Sequence, residues 1–272
     1  MTSEVAAGGG EAAGPALFAR YAYPPNALGY CGPDDPAALL GLATDARPHP
    51  ADLRQLAARF EGAWPYLELI AASNGIGDPL DRRVVEAYWV GNGLLARVPP
   101  AALWRSIDDR FHRRAGPLFE PMAAAVPLGG VPHHSFHVFA VYPWLGLLRA
   151  GREGPALTVL DRCRIRWGTV ESVDGDHVVV RTRLLTFCGS QLRLAEHDEV
   201  EVARWAVDGT TFVGALSPGD VVSLHWDWVC DRLSPPALAR LRRWSAHTLA
   251  VVNATPAPGP AVAADASGGS TR

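Results

Sequence analysis

The chain has 272 residues, of which 48% are apolar and 19% charged, with a formal net charge of −3. That length allows one large domain or two smaller ones with real cores, and the weak charge gives no reason to expect nucleic acid or another polyanion as partner. No apolar run reaches the ~18 residues of a membrane span. No N-terminal stretch pairs a basic region with an apolar core, so a cytoplasmic protein with reduced thiols is expected.

All 25 basic residues are arginine, which we read as a GC-rich coding bias. The four cysteines, Cys31, Cys163, Cys188 and Cys230, form no CxxC pair and no zinc-finger spacing, which argues against a structural zinc.

In chain order, residues 1–14 are Gly/Ala-rich and unpatterned, as are residues 254–272, and both are expected to be disordered tails. Residues 15–153 carry helical patterns and are expected to form a helical domain. Leu17 to Tyr23 leads to Pro24-Pro25, which is expected to stop the helix. Pro36 suits the start of the next one. Residues 50–73 place Leu53, Leu56, Ala57, Phe60, Leu67 and Ile70 at helical spacing, with Pro65 kinking or splitting the helix and Asn74-Gly75 ending it. A helix from Asp78-Pro79-Leu80 carries Val84, Val85, Tyr88 and Trp89 on its apolar side. Another lies in 99–114, with Leu103, Ile107 and Phe111. The run from Val138 to Leu148 is apolar enough to require burial.

Residues 154–253 change character. Val178-Val179-Val180 and Glu199-Val200-Glu201-Val202 alternate between turn signals at Asp174-Gly175, Asp208-Gly209 and Pro218-Gly219-Asp220. Short β-branched runs at such spacing predict a small antiparallel barrel, with Leu157–Leu160 opening its first strand. Ser234-Pro235-Pro236 is an N-cap signal for a C-terminal helix. The expected fold class is α+β: a helical N-terminal domain, a small OB-like antiparallel β-barrel and a C-terminal helix.

Cys163 and His225 fall in the expected first and last strands, where they can be neighbours. A thiolate and an imidazole are a competent ligand pair for iron, zinc or nickel. The alternative is a buried thiol and a hydrogen-bonded core histidine.

The stretch 163–244 resembles the HypC/HupF family, small β-barrel chaperones of nickel–iron hydrogenase maturation. Cys163, Gly168 and Val170 match its opening motif, and Gly219, Asp220, Val222, Leu224, His225 and Trp228 match its last strand. A C-terminal helix follows in both. The resemblance implies an accessory protein rather than an enzyme. Its partner would be a hydrogenase large-subunit precursor or another maturation protein, and Cys163 and His225 would transiently carry an iron centre. The sequence departs from the family in three respects. Cys163 is internal, Trp167 replaces a proline, and the segment between the motifs is longer, with Arg193–Val207 as the expected insertion. Tyr21–Asn26, Gly29–Asp34 and His133–Phe139 have no counterpart there. They look like an uncharacterised family of high-GC bacteria associated with hydrogenase gene clusters.

A second group of residues suggests a metal-dependent enzyme instead. His133 and His137 are four apart and would share one helical face, with His134 between them and Cys31, in an exposed Gly/Pro-rich turn, as a further ligand. The absence of a Glu in an HExxH arrangement excludes a zincin. Trp226 and Trp228 flank His225 in alternation, so with His225 inward they would form an aromatic outer face. Together with Trp167 they are candidates for packing on the helical domain or binding a partner.

Overall fold

A helix that proline was expected to end sets the architecture. The computed structural model describes residues 13–44, 50–115, 119–152 and 154–255, and most of both expected tails lies outside them. α1 (Gly14–Ala27) runs straight through Pro24 and Pro25. The prolines fall in its last turn, where Leu28 N–H still reaches the Pro24 carbonyl at 3.3 Å. Proline removes a donor but already has a helical φ, so the helix survives with unmatched carbonyls one turn earlier. Leu17, Phe18, Tyr21 and Ala22 are all buried.

Around α1 lie α2 (Pro36–Thr44), α3 (Pro50–Ala58), α4 (Trp64–Ser73) and α5 (Arg82–Trp89). The expected 50–73 helix is split, and Pro65 sits in the first turn of α4, where its missing N–H is harmless. α5 starts later than expected, because Asp81, not Asp78, caps it by accepting from Arg83 N–H. α6 (Pro100–Ala115) and α7 (Phe119–Ala125) follow. Next comes the single turn α8 (His134–Phe136), continued by a π-helical turn over His137–Val141. α9 (Trp144–Arg149) and α10 (Ala156–Cys163) complete this part.

α10 corrects the expectation of a strand. Ala156, Val159, Leu160 and Cys163 are buried at three- and four-residue spacing, a helical period that a short apolar run does not reveal. Cys163 therefore ends a helix, and the first strand, β1 (Arg166–Asp174), begins three residues later.

The remaining strands are β2 (His177–Thr182), β3 (Leu185–Cys188), β4 (Gln191–Leu194), β5 (Glu199–Arg204), the two-residue β6 (Ala206–Val207) and β7 (Thr210–Thr211), β8 (Val221–His225) and β9 (Trp228–Arg232). Five of them pair in the order β1-β2-β5-β9-β8, and β8 pairs back onto β1, so the sheet closes on itself. All but one pairing are antiparallel; β5 meets β9 in parallel at Arg204 and Trp228. Val170, Val178, Val180, Val222, Leu224 and Val229 fill its interior. The fold is thus mixed α and β.

Arg193–Val207 is not an added loop, since it supplies β5. Two hairpins lie outside the five-stranded sheet, β3–β4 and the short β6–β7, and the first is the larger. The β3–β4 hairpin is held by Asn253 of α11 (Pro235–Ala254), which bonds Leu192 N–H and C=O at 2.9 and 2.8 Å. Ser234 caps α11 as expected, and the helix packs on α7, α8, the π turn and β4. One continuous core joins Phe18, Tyr66 and Tyr88 of the helices to Ile165, Trp228 and Cys230 at the sheet and Leu241 of α11.

Candidate metal centre

Three elements bring one ligand each to the same point. α8 supplies His134, the end of α10 supplies Cys163 and the end of β8 supplies His225. Their ligand atoms all lie within 4.8 Å of one another, and no other such trio of His, Cys, Asp or Glu occurs among the described residues. All three side chains are buried. They line a cavity of about 230 Å³ whose walls include Tyr30, Tyr88, Trp89 and Trp226.

The orientation of His225 follows from α1. An N–H at position 25 would bond the carbonyl of Tyr21 in a regular helix, and Pro25 has none. His225 Nδ1 takes its place, donating to Tyr21 O at 2.7 Å. The proton is thereby fixed on Nδ1 and the lone pair on Nε2, which is buried near the Cys163 backbone and has no hydrogen-bond donor. A buried unsatisfied acceptor costs about 1–3 kcal/mol, and a metal ion would satisfy it. A backbone carbonyl holding the distal N–H is also how ligating histidines are commonly oriented.

His134 has both nitrogens engaged. Nε2 lies 2.8 Å from the Cys163 carbonyl and must donate to it, so Nδ1 accepts from the Tyr88 hydroxyl at 3.2 Å. Burial holds the His134 pKa down at about 4 and pushes that of His225 well below its ordinary value. Burial also drives the Cys163 thiol strongly upward. The pocket is therefore a neutral thiol and two neutral imidazoles, and an ion entering it would displace the thiol proton.

The turn after His225 is pinned from outside. Trp226 adopts φ 56°, a left-handed conformation that a bulky side chain seldom takes. Its N–H bonds the Arg162 carbonyl at 2.7 Å, and its own carbonyl accepts from Arg166. Arg166 is fully buried and paired with Glu201, which also holds Arg162 at 2.7 Å.

The remaining candidates lie outside this trio. His133 acts as the cap of α8, accepting from Ser135 N–H at 3.2 Å. His133 precedes the helix with extended backbone (φ −109°, ψ 149°) and turns its ring to the cap, so it does not share the chelating face expected with His137. His137 lines the cavity, with Nδ1 3.4 Å from the Tyr66 hydroxyl. Cys31 also lines it but is not an exposed thiol, and burial pushes its pKa up to about 12.

Trp226 and Trp228 pack on the helical part, one of the two alternatives expected, but not as an outer face of the last strand. β8 ends at His225 and the chain reverses, so Trp226 is in the turn and Trp228 opens β9 opposite His225. Trp226 stacks on Tyr30 with ring centroids 4.2 Å apart, and Trp228 packs edge-on to Tyr23 at 5.2 Å. Both are buried within the chain and offer no partner-binding face. Trp167 stays half-buried between Arg164 and Arg242.

The pairing of Cys163 with His225 was legible in the sequence. The inclusion of His134 was not, because its neighbours assigned it to a separate histidine group.

A family model described as a family of unknown function, DUF6390, matches residues 10–258. The chain belongs to this family. No curated protein and no solved structure matches it.

Proposed function

We propose that this DUF6390 protein binds a soft or borderline transition-metal ion through Cys163, His225 and His134, the last by exchanging the Tyr88 hydroxyl on its Nδ1 for the ion. We further propose that it is an accessory protein of nickel–iron hydrogenase maturation, with iron as its cargo. The observation that carries the metal-binding part is the convergence of three ligand atoms on one cavity, one of them the partnerless Nε2 of His225. One thiolate and two imidazoles suit iron, nickel or zinc and disfavour hard cations, which take oxygen ligands. Three protein ligands leave a fourth tetrahedral position open, which suits an ion that is handed on.

The hydrogenase assignment is supported by the resemblance of residues 163–244 to the HypC/HupF family. That resemblance singles out Cys163 and His225, and these two residues are neighbours here. The partner would be a hydrogenase large-subunit precursor or another maturation protein in the cytoplasm. Among the described residues no helix is long and apolar enough to cross a membrane. An enzyme built on His133, His134 and His137 is less favoured, since of these three only His134 belongs to the group of ligand atoms that converges within 4.8 Å.

The test is isolation of the tagged protein from its own host without oxygen, with metal analysis, infrared spectroscopy and identification of co-purified proteins. The proposal expects iron and a hydrogenase precursor, both lost in Cys163→Ala. Metal without a hydrogenase-related partner would keep the site and remove the hydrogenase assignment. Absence of both would overturn the proposal.

A further inference from the structure

A second, larger groove lies on the other side of His137. It measures about 690 Å³ and is lined by Gly62, Asp109, Arg110, His137 and Tyr142, among others. Gly62, His137 and Tyr142 also line the metal cavity, so these residues form the wall between the two spaces. A Cβ at position 62 would stand 2.9 Å from His137 Nε2, and only glycine lets the ring lie this close to the backbone.

Arg110 is the unexplained residue in this groove. Its Nε donates to the Ser106 carbonyl at 2.9 Å, and its guanidinium lies 4.4 Å from the Tyr66 ring centroid and 4.8 Å from that of Phe111. Nη1 and Nη2 are buried and have no hydrogen-bond acceptor within normal reach, the Tyr66 hydroxyl being the polar group that interacts with the guanidinium, and His137 Nε2 is also without a partner. Stacking on aromatic faces offsets part of the cost of burying a cation, but leaves the two forked N–H groups unused. A planar fork of this kind matches a carboxylate in bidentate geometry.

We infer that this groove binds a small organic monocarboxylate, clamped by the Arg110 guanidinium and bordered by His137 and Tyr142. A single negative charge is favoured over a double one because Glu61 and Asp109 also line the groove, both exposed. They would repel a dianion, while solvent screens them from a charge seated on Arg110. The site is independent of Cys163 and His225, so it stands or falls apart from the metal centre.

The experiment is calorimetric titration of the full-length protein with sodium acetate, against sodium chloride and sodium phosphate at matched ionic strength. Saturable one-to-one acetate binding is expected, with weaker phosphate binding and no loss in Cys163→Ala. Losing a charge-assisted hydrogen-bond pair should weaken binding by about tenfold or more in Arg110→Gln. Arg113→Gln, at an exposed position of the same groove, should change it little. If Arg110→Gln unfolds, Arg110→Lys keeps the charge and loses the fork, and weaker acetate binding is still expected. Absence of saturable acetate binding to the wild type would overturn the inference. So would Arg110 variants that fold and bind acetate as well as the wild type.

Discussion

His225 Nδ1 donates to the carbonyl of Tyr21, the carbonyl that Pro25 leaves without a helical partner. A proline near the end of α1 thus determines which nitrogen of a histidine about two hundred residues later is free to bind a metal. The contact also ties the helical part of the chain to the closed sheet at the site itself.

Pro25→Ala tests this coupling. The new N–H would compete for Tyr21 O and release the His225 ring from its fixed tautomer. Mutation of such outer partners of ligating histidines typically costs 10–100-fold in metal affinity, so zinc affinity should fall by about tenfold or more. The melting temperature should change little, because a gained hydrogen bond offsets the lost rigidity of proline. Unchanged affinity would mean that His225 is oriented by packing alone.

The buried histidines predict a specific acid sensitivity. Burial depresses His133 to about 3 and His134 to about 4 and holds His137 and His225 well below their ordinary value. An unfolded histidine titrates near 6.5, so below that pH the unfolded state binds protons that the folded state refuses. Stability is therefore fully present above about pH 6.5 and falls as pH drops towards 4, each such histidine contributing a slope of about 1.4 kcal/mol per pH unit. Urea denaturation from pH 7.5 to 4.5 would measure it. A flat profile between pH 7 and 5 would show that these rings are not held neutral.

Glu201 is predicted to hold the turn beside the site. It pairs with Arg166, which in turn holds the Trp226 carbonyl. Breaking a buried pair by removing one partner typically costs 3–5 kcal/mol, whereas replacing both by apolar groups is often neutral. Glu201→Leu should therefore be destabilised by about 3 kcal/mol or more, and the Glu201→Leu/Arg166→Met double variant by less. Chemical denaturation of both would decide, and a double variant as unstable as the single one would count against the buried pair.

The sequence disclosed its structure unevenly. The β-rich alternation from Val170 to Val229 and the cap at Ser234 were readable, because period and turn chemistry are local signals. The adjacency of Cys163 and His225 was expected from a first strand and from the motifs of the resemblance, and it holds although Cys163 ends a helix. The helical nature of α10 was not, since Leu157–Leu160 is too short to separate a period of 3.6 from a buried strand. Nor was the passage of α1 through Pro24-Pro25, where burial against α5 and the sheet overrides the local cost of proline. His134 joined the site only through tertiary packing, as α8 is a single turn whose neighbours His133 and His137 face other tasks.

The measurement that tests the central claim most directly is cobalt(II) titration of the metal-free protein under anaerobic conditions. One equivalent should bind, with a thiolate-to-cobalt charge-transfer band and the strong visible bands of a four-coordinate ion. About one proton should be released per ion at neutral pH, since the Cys163 thiol is protonated and both imidazoles are neutral. The charge-transfer band should vanish in Cys163→Ala, and affinity should drop by about tenfold or more in His225→Ala and His134→Ala. A spectrum without the thiolate band, or one that survives in Cys163→Ala, would contradict a metal centre at His134, Cys163 and His225.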